Sequence, residues 1–326
     1  MPFTDSSHLV IPFAACSGDA WLQAMQALPA GSLKNLGKLL QGMQLASTSQ
    51  GEAFSLSTPH ERVLAQAQGL AGTASLDGLL PWAAVEAATR PGASGKAWAH
   101  ITLCHWAMGR EHATLSDPAA LDLTPSESST LLAAMQPYFE TEGITLHGAA
   151  PPLWLAEGEL FRHLPTASLD RVLGRNVDPW LPGAASAGSL RRLQNEMQML
   201  LYTHPLNDAR IAKRQLPVNS FWISGSGALE QPAQPVPKPA SNVSVSRALA
   251  SPAFTNDWSA YAQAWQGLDT DEIAQLLQRQ NAGQTVQLSL CGERNAQTFA
   301  SAKVGLFSRI SNIFASQPPL AVLVQL

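Results

Sequence analysis

Residues 190–227 read LRRLQNEMQMLLYTHPLNDARIAKRQLPVNSFWISGSG, a helix-like run, a polar connection and a strand-like run in succession. Leu190, Leu193, Met197, Leu200 and Leu201 recur at helical spacing, which predicts an amphipathic helix over Leu190–Tyr202. Val218–Ser224 reads as a strand. It ends in Gly225-Ser226-Gly227, a turn at which a backbone can come close to a ligand.

The alternation continues on both sides. Leu9–Ala15 (LVIPFAA) is a short apolar run expected to be a buried first strand, followed by helical patterns over 18–28 and 32–45. Thr58-Pro59-His60-Glu61 has the form of a capping box and predicts a helix over Pro59–Gly69; Leu80–Thr89 predicts another. Trp98–Leu103 alternates as a strand does. Thr124-Pro125-Ser126-Glu127 repeats the capping box and opens a helix to Phe139, with a strand expected at Ile144–His147. Residues 229–240 hold four prolines, so 229–256 is expected to be a loop or linker. Beyond it the pattern predicts helices over Asp257–Gln266 and Asp269–Gln280, the latter capped by Asp269 with Glu272. Strands are expected at Thr285–Leu290 and Leu320–Leu326. Strands alternating with helices give an α/β expectation: a central, mostly parallel sheet with flanking helices.

Composition narrows the function classes. With 45% hydrophobic and 13% charged residues in 326, the chain has the makings of a large buried core. A net charge of −4 argues against nucleic acid as a partner. Cys16, Cys104 and Cys291 stand far apart with no CxxC or Cys/His cluster, so neither a disulfide framework nor a structural zinc site is expected. Neighbouring Cys104 and His105 point to opposite faces of a strand, one toward core and one toward surface. No leader pattern and no apolar run of roughly 18–20 residues is present, which predicts a cytoplasmic protein without a membrane partner.

Polar chemistry concentrates in 162–227. Arg162, Arg171, Arg175, Arg191, Arg192, Arg210, Lys213 and Arg214 face only Asp170, Asp178, Glu196 and Asp208, a local cationic excess suited to an anion or to a solvated face. Two clusters stand out: Gly174-Arg175-Asn176-Val177-Asp178, and His204-Pro205-Leu206-Asn207-Asp208-Ala209-Arg210. Such groups can meet a ligand or tie a loop to its neighbours. Ser17, Ser168 and Ser224 are conceivable nucleophiles, but no G-x-S-x-G elbow supports a hydrolase triad.

His204-Pro205-x-Asn207-x-x-Arg210, then Leu216-Pro217-Val218-Asn219-Ser220 and Ser224-Gly225-x-Gly227, resembles the archaeal-type cofactor-independent phosphoglycerate mutases of the alkaline-phosphatase superfamily. Ala97–Leu121, the helix Thr124–Phe139 and the strand Gly143–His147 are similar in order to that family's inserted domain, so the resemblance spans roughly 96–227. Leu79-Leu80-Pro81-Trp82-Ala83, Leu164–Asp170, Gly174–Asp178 and Leu290-Cys291-Gly292-Glu293-Arg294 resemble the bacterial regulatory-protein RpfE-like family, whose members are often labelled phosphoglycerate mutase. The resemblance implies a reduced alkaline-phosphatase-like core over 1–95 and 165–326, with an inserted α+β subdomain over 96–164. It also implies two divalent metals held by Asp and His, and a Ser that carries the phosphoryl group.

The chain departs from that pattern where the chemistry would lie. The family's first strand ends in Asp-Gly; here Leu9–Ala15 runs into Cys16-Ser17-Gly18-Asp19. Its late Gly-Asp-His metal motif corresponds to Gly292-Glu293-Arg294, and the Arg of its Arg-Gly-x-Gly turn is Ser224. The leading expectation is therefore a non-catalytic, regulatory protein with no cofactor, binding an anionic metabolite or a protein partner. Its ligand residues would be Arg171, Arg175, Asn176, Asp178, His204, Asn207, Arg210, Asn219 and Ser224. The alternative is a metal-dependent phosphoryl-transfer enzyme with relocated ligands, using Mn or Zn and His204, Asp178, Asp208 and Asp170. A third reading is a scaffold protein whose polar clusters only hold loops.

Overall fold

A computed structural model describes residues 7–70, 77–183, 188–229, 242–301 and 318–326. They form two compact units, one of 1–53, 58–69 and 238–326, the other of 54–57 and 70–237. Elements are numbered in chain order.

The first unit contains β1 (Ser7–Ile11), α1 (Asp19–Gln26), α2 (Lys34–Gln41), β2 (Met43–Ser49) and α3 (Pro59–Ala67). After the second unit it resumes with β9 (Val243–Val245), α9 (Ala250–Thr255), α10 (Trp258–Thr270), α11 (Glu272–Asn281), β10 (Val286–Cys291), β11 (Ala296–Ser301) and α12 (Pro319–Leu323). Its sheet has the order β2-β11-β10-β1-β9. β1 pairs in parallel with β9 and β10, and β11 runs antiparallel to both β10 and β2, so four of the five strands point one way. The α/β expectation with a mostly parallel sheet holds for this unit. Leu9 and Ile11 lie beside Leu288 and Leu290 and face a core completed by Trp21, Leu36, Tyr261 and Trp265. Val10 faces the other way, toward Val63 of α3 and Cys291. A central strand covered on both faces must be apolar throughout, which is why LVI reads as a continuous run.

Three expectations change here. The pattern over 32–45 is helix only to Gln41, after which the chain turns at Gly42 into β2. Leu320–Leu326 is not a strand but begins as α12, with Pro319 in the first turn where its missing N–H costs nothing. Asp269 does not cap the helix that follows it. α10 runs on to Thr270, and the Asp269 carboxylate instead accepts hydrogen bonds from Asn35 N (3.1 Å) and Leu36 N (2.8 Å) at the start of α2. Burial raises its carboxyl pKa, opposed by those two backbone hydrogen bonds. Asp269→Ala removes both acceptors from the N-terminus of α2, so a loss of about 2 kcal/mol is expected in urea unfolding.

The second unit contains α4 (Trp82–Ala87), β3 (Ala97–Cys104), β4 (Trp106–Met108), β5 (Ala113–Leu115), α5 (Pro125–Thr141), β6 (Thr145–Gly148) and β7 (Leu153–Glu157). It continues through α6 (Leu169–Val172), α7 (Gly188–Tyr202), α8 (Pro205–Ala212) and β8 (Ser220–Ala228). The sheet β6-β7-β3-β8 is antiparallel throughout. One face packs Ile101, Leu103, Trp154 and Phe221 under α5 and α7; the other carries Trp98 and Leu155 under α4. This unit is larger than the expected 96–164 insertion. β8 is hydrogen-bonded along β3, which makes Ser220–Ala228 part of the same sheet.

Of the expected 229–256 loop, 230–241 lies outside the described residues, and the remainder includes β9 and α9. Among the described residues no helix is long and apolar enough to cross a membrane.

Candidate functional site

The polar residues around HPxNxxR hold the second unit together. His204 is the N-cap of α8, its Nδ1 accepting from Leu206 N at 3.2 Å. Asn207 is 3% exposed; its amide nitrogen donates to the carbonyls of Leu201 (2.8 Å) and Val218 (2.6 Å), and its oxygen accepts from Val218 N (2.9 Å). One side chain thus ties the end of α7 to the entrance of β8. Arg210 is 1% exposed. Its Nε donates to Leu216 O at 2.8 Å, its Nη1 to Glu127 Oε1 at 2.8 Å, and its Nη2 to the carbonyl of Leu121.

Asn219 imitates a strand partner, accepting from Trp106 N (2.7 Å) and donating to Trp106 O (3.0 Å). His105 Nδ1 donates to Pro217 O at 2.9 Å, while Cys104 is fully buried, as expected for neighbours on a strand.

These contacts revise the expected anion site. Arg210 and Asn207 are closed to solvent and spend their hydrogen-bonding groups on the fold, and Asn219 is occupied by β4. Ser224 is buried in β8 opposite His100. Arg171 is buried too, donating to Ser57 O at 3.0 Å with its guanidinium 5.8 Å above the Trp180 ring. Asn176 accepts from Asp178 N at 3.0 Å, a local turn. Arg175, Asp178 and Asp208 remain at the surface, and Asp170 is half-buried.

Gly225-Ser226-Gly227 is not the expected turn: β8 runs through it to Ala228, with Gly227 paired to Trp98, and its glycines serve packing. Both glycines have positive φ, and a Cβ on Gly225 would stand 3.1 Å from Trp82 Cβ, one on Gly227 2.9 Å from Pro81 Cβ. What comes close is the start of α4, which places the Leu79–Ala83 signature against the sheet. Thr166 of the Leu164–Asp170 signature bonds Ser226 across 2.9 Å in the same region.

A different place in the first unit has the geometry of a binding site. β1 and β10 are parallel with Ile11 opposite Leu290, so Phe13–Ser17 and Gly292–Asn295 leave the sheet side by side. Ala14 N donates to Cys291 O at 2.7 Å and keeps the two exits together. Ser17 Oγ donates to the Glu293 carboxylate. With Cys16, Trp21 and Arg294 they line a crevice of about 260 Å³. Leu323–Leu326 form its opposite wall, where Asn295 N donates to Leu326 O at 3.1 Å and a Cβ on Gly292 would come 2.8 Å from Leu326. Open α/β sheets bind their ligands off the carboxyl ends of such strands. The sequence signal was present at Cys16–Asp19 and Gly292–Arg294, but only as a departure from a pattern.

No known protein-family profile matches the chain. The 2,3-bisphosphoglycerate-independent phosphoglycerate mutase of Methanosarcina barkeri is 22% identical over 120 residues, 36% of this chain and 30% of the relative. The chain is distantly similar to phosphoglycerate mutases of this type. The match spans under a third of the relative's own length. Among solved structures, the cofactor-independent phosphoglycerate mutase of Thermoplasma acidophilum overlaps 98% of this chain and 99% of its own at 12% identity and a TM-score of 0.36. The PH0037 protein of Pyrococcus horikoshii overlaps 91% and 87% at 10% identity and a TM-score of 0.44. Scores this low carry no detail of a shared site.

The two metals that the resemblance implies do not fit the side chains at these strand ends. Among the described residues Glu293 is the one carboxylate side chain lining the crevice, it is already bonded to Ser17, and Arg294 beside it opposes a cation. Among the described residues no group of three or more His, Cys, Asp or Glu side chains is placed to hold a metal ion. His204, Asp178, Asp208 and Asp170, the relocated ligands of the enzyme reading, belong to no such group.

Proposed function

We propose that this chain is a non-catalytic, phosphoglycerate-mutase-like binding protein that holds a small anion in the crevice off the carboxyl ends of β1 and β10. The observation that carries the reading is the set of side chains there: Ser17, Glu293 and Arg294 in place of an Asp and a Gly-Asp-His. Arg294 is exposed and makes no ion pair among the described residues, so its fork of donors can meet an oxyanion. Ser17 fixes Glu293 and keeps that carboxylate turned to a hydroxyl. The finer resemblance to RpfE-like proteins, and a regulatory role in the cytoplasm, accord with a site that binds without reacting.

Calorimetric titration of chelator-stripped protein with Mn²⁺ and then Zn²⁺ tests the non-catalytic part. No specific uptake is expected. Tight binding of about two ions per chain would instead favour the phosphoryl-transfer enzyme.

A further inference from the structure

The face of the first sheet that lies under α3 is unusual in its chemistry. A parallel pair such as β1 and β10 is normally covered by apolar side chains on both faces. Here Val10, Val63, Cys291 and Ala296 form an apolar patch, with Leu64 and Val243 packed against it. Toward the start of β1 the same face carries His8 and Gln287, side by side in register, and then Ser289. His8 is 6% exposed, and its Nε2 shares a hydrogen bond of 2.8 Å with Ser289 Oγ. Ser289 Oγ in turn lies 2.7 Å from Thr298 Oγ1 on β11.

His8, Gln287 and Thr298 border a cleft of about 310 Å³, which also receives Ser47 of β2 and Gln66 of α3. The volume is at the lower end of small-molecule pockets. Its remaining lining is small and apolar: Ala46, Val63 and Ala67. His8 is buried, Ser47, Gln287 and Thr298 are half-buried and Gln66 is exposed, so polar groups line the cleft from its floor to its rim.

The lining also limits the ligand. Among the described residues no Asp, Glu, Lys or Arg borders the cleft. Burial lowers the His8 pKa to about 4, so the imidazole is neutral at physiological pH. Hydroxyls and primary amides both give and take hydrogen bonds, which matches hydroxyl groups on a ligand. Among the described residues no Phe, Tyr or Trp lines the cleft to stack a planar base.

We propose that the cleft bordered by His8, Ser47, Gln66, Gln287 and Thr298 is a second binding site, for a small uncharged polyhydroxylated molecule of the monosaccharide or polyol class. It is independent of the anion crevice and shares no lining residue with it. Thr298 and Gln66 sit on opposite walls, β11 and α3, so a ligand bridging them would contact both.

The test is solution NMR on the full chain, following the His8 ring signals during titration with glucose and, separately, with sorbitol. Saturable shifts of His8 with at least one probe are expected, at millimolar or lower concentration. Thr298→Val, close in shape but without the hydroxyl, should weaken that probe at least tenfold while the rest of the spectrum stays folded. Failure of both probes to shift His8, or equal binding in the variant, would overturn the proposal. Inorganic phosphate titrated into the same samples reports on the Arg294 crevice, so failure of one site is distinguishable from failure of the other.

Discussion

Arg210→Ala is expected to lower the unfolding free energy by about 2–3 kcal/mol, because it takes a fully buried guanidinium away from two carbonyls and from a partly exposed Glu127 that water can still reach. The buried Leu121 carbonyl and the part-buried Leu216 carbonyl lose their donors, and Glu127 loses its cation. Glu127 also belongs to the capping box of α5 with Thr124, so the loss spreads into the longest helix of the second unit. Urea unfolding of the variant against the wild type measures this. Arg210→Lys should recover only part of the loss, since an ammonium cannot serve three directions with a planar fork. The folded fraction of either variant should bind phosphate as the wild type does. An Arg210 variant of unchanged stability but lost anion binding would reinstate the ligand role that its motif suggested.

The same pair has a pH signature. Burial acts to raise the Glu127 pKa, but hydrogen bonds from Thr124 and Arg210 outweigh it and leave the carboxyl lowered. Its contribution to stability is present above the ordinary carboxylate range and is lost as pH falls through the lowered value.

The second large effect is acid sensitivity from His8. Its pKa is lowered by burial from 6.5 to about 4, so at pH values between these the unfolded chain binds the proton and the folded chain does not. Stability therefore falls as pH drops from 6.5 to about 4, by up to about 3 kcal/mol for a shift of this size. Ser289 meets the ring and Thr298, Gln287 and Gln66 line the same cleft, and none carries a charge that would hold the protonated form. Urea midpoints at pH 7, 6, 5 and 4 should decline less steeply in His8→Asn than in the wild type. Identical declines would mean that His8 takes up its proton in the folded state.

Much of the architecture was legible because it rests on local chemistry. The capping boxes at Thr58 and Thr124 form as read, each threonine accepting from the N–H three residues on and each glutamate returning a bond. β1 was legible because a doubly covered strand must be continuously apolar. The strands that escaped notice are edges or neighbours of edges. β2 reads MQLASTS and buries only its first residue, so neither a 2-residue nor a 3.6-residue period marks it. The Leu320–Leu326 run was ambiguous because a short apolar run fits helix and strand equally; Pro319 was the available arbiter.

The site was harder to read for a different reason. Arg210, Asn207 and Asn219 are the residue types a ligand would want, in a tight motif, and only burial reveals that carbonyls and Glu127 already claim them. Composition cannot separate a polar group that awaits a ligand from one that holds a loop. Ser17 and Glu293 are 276 residues apart, and it is the parallel register of β1 and β10 that brings them together. The His8–Ser289–Thr298 run has the same origin. Each residue looks ordinary in sequence, and the pairing of three strands makes the chain of hydrogen bonds.

The most direct test of the anion-binding reading is calorimetric titration of inorganic phosphate into wild type and Arg294→Ala, both held in excess chelator. Saturable binding by the wild type that is lost in Arg294→Ala is the predicted result. Phosphate binding that is absent under chelator and appears only after Mn²⁺ or Zn²⁺ is restored, or that survives Arg294→Ala unchanged, would contradict it.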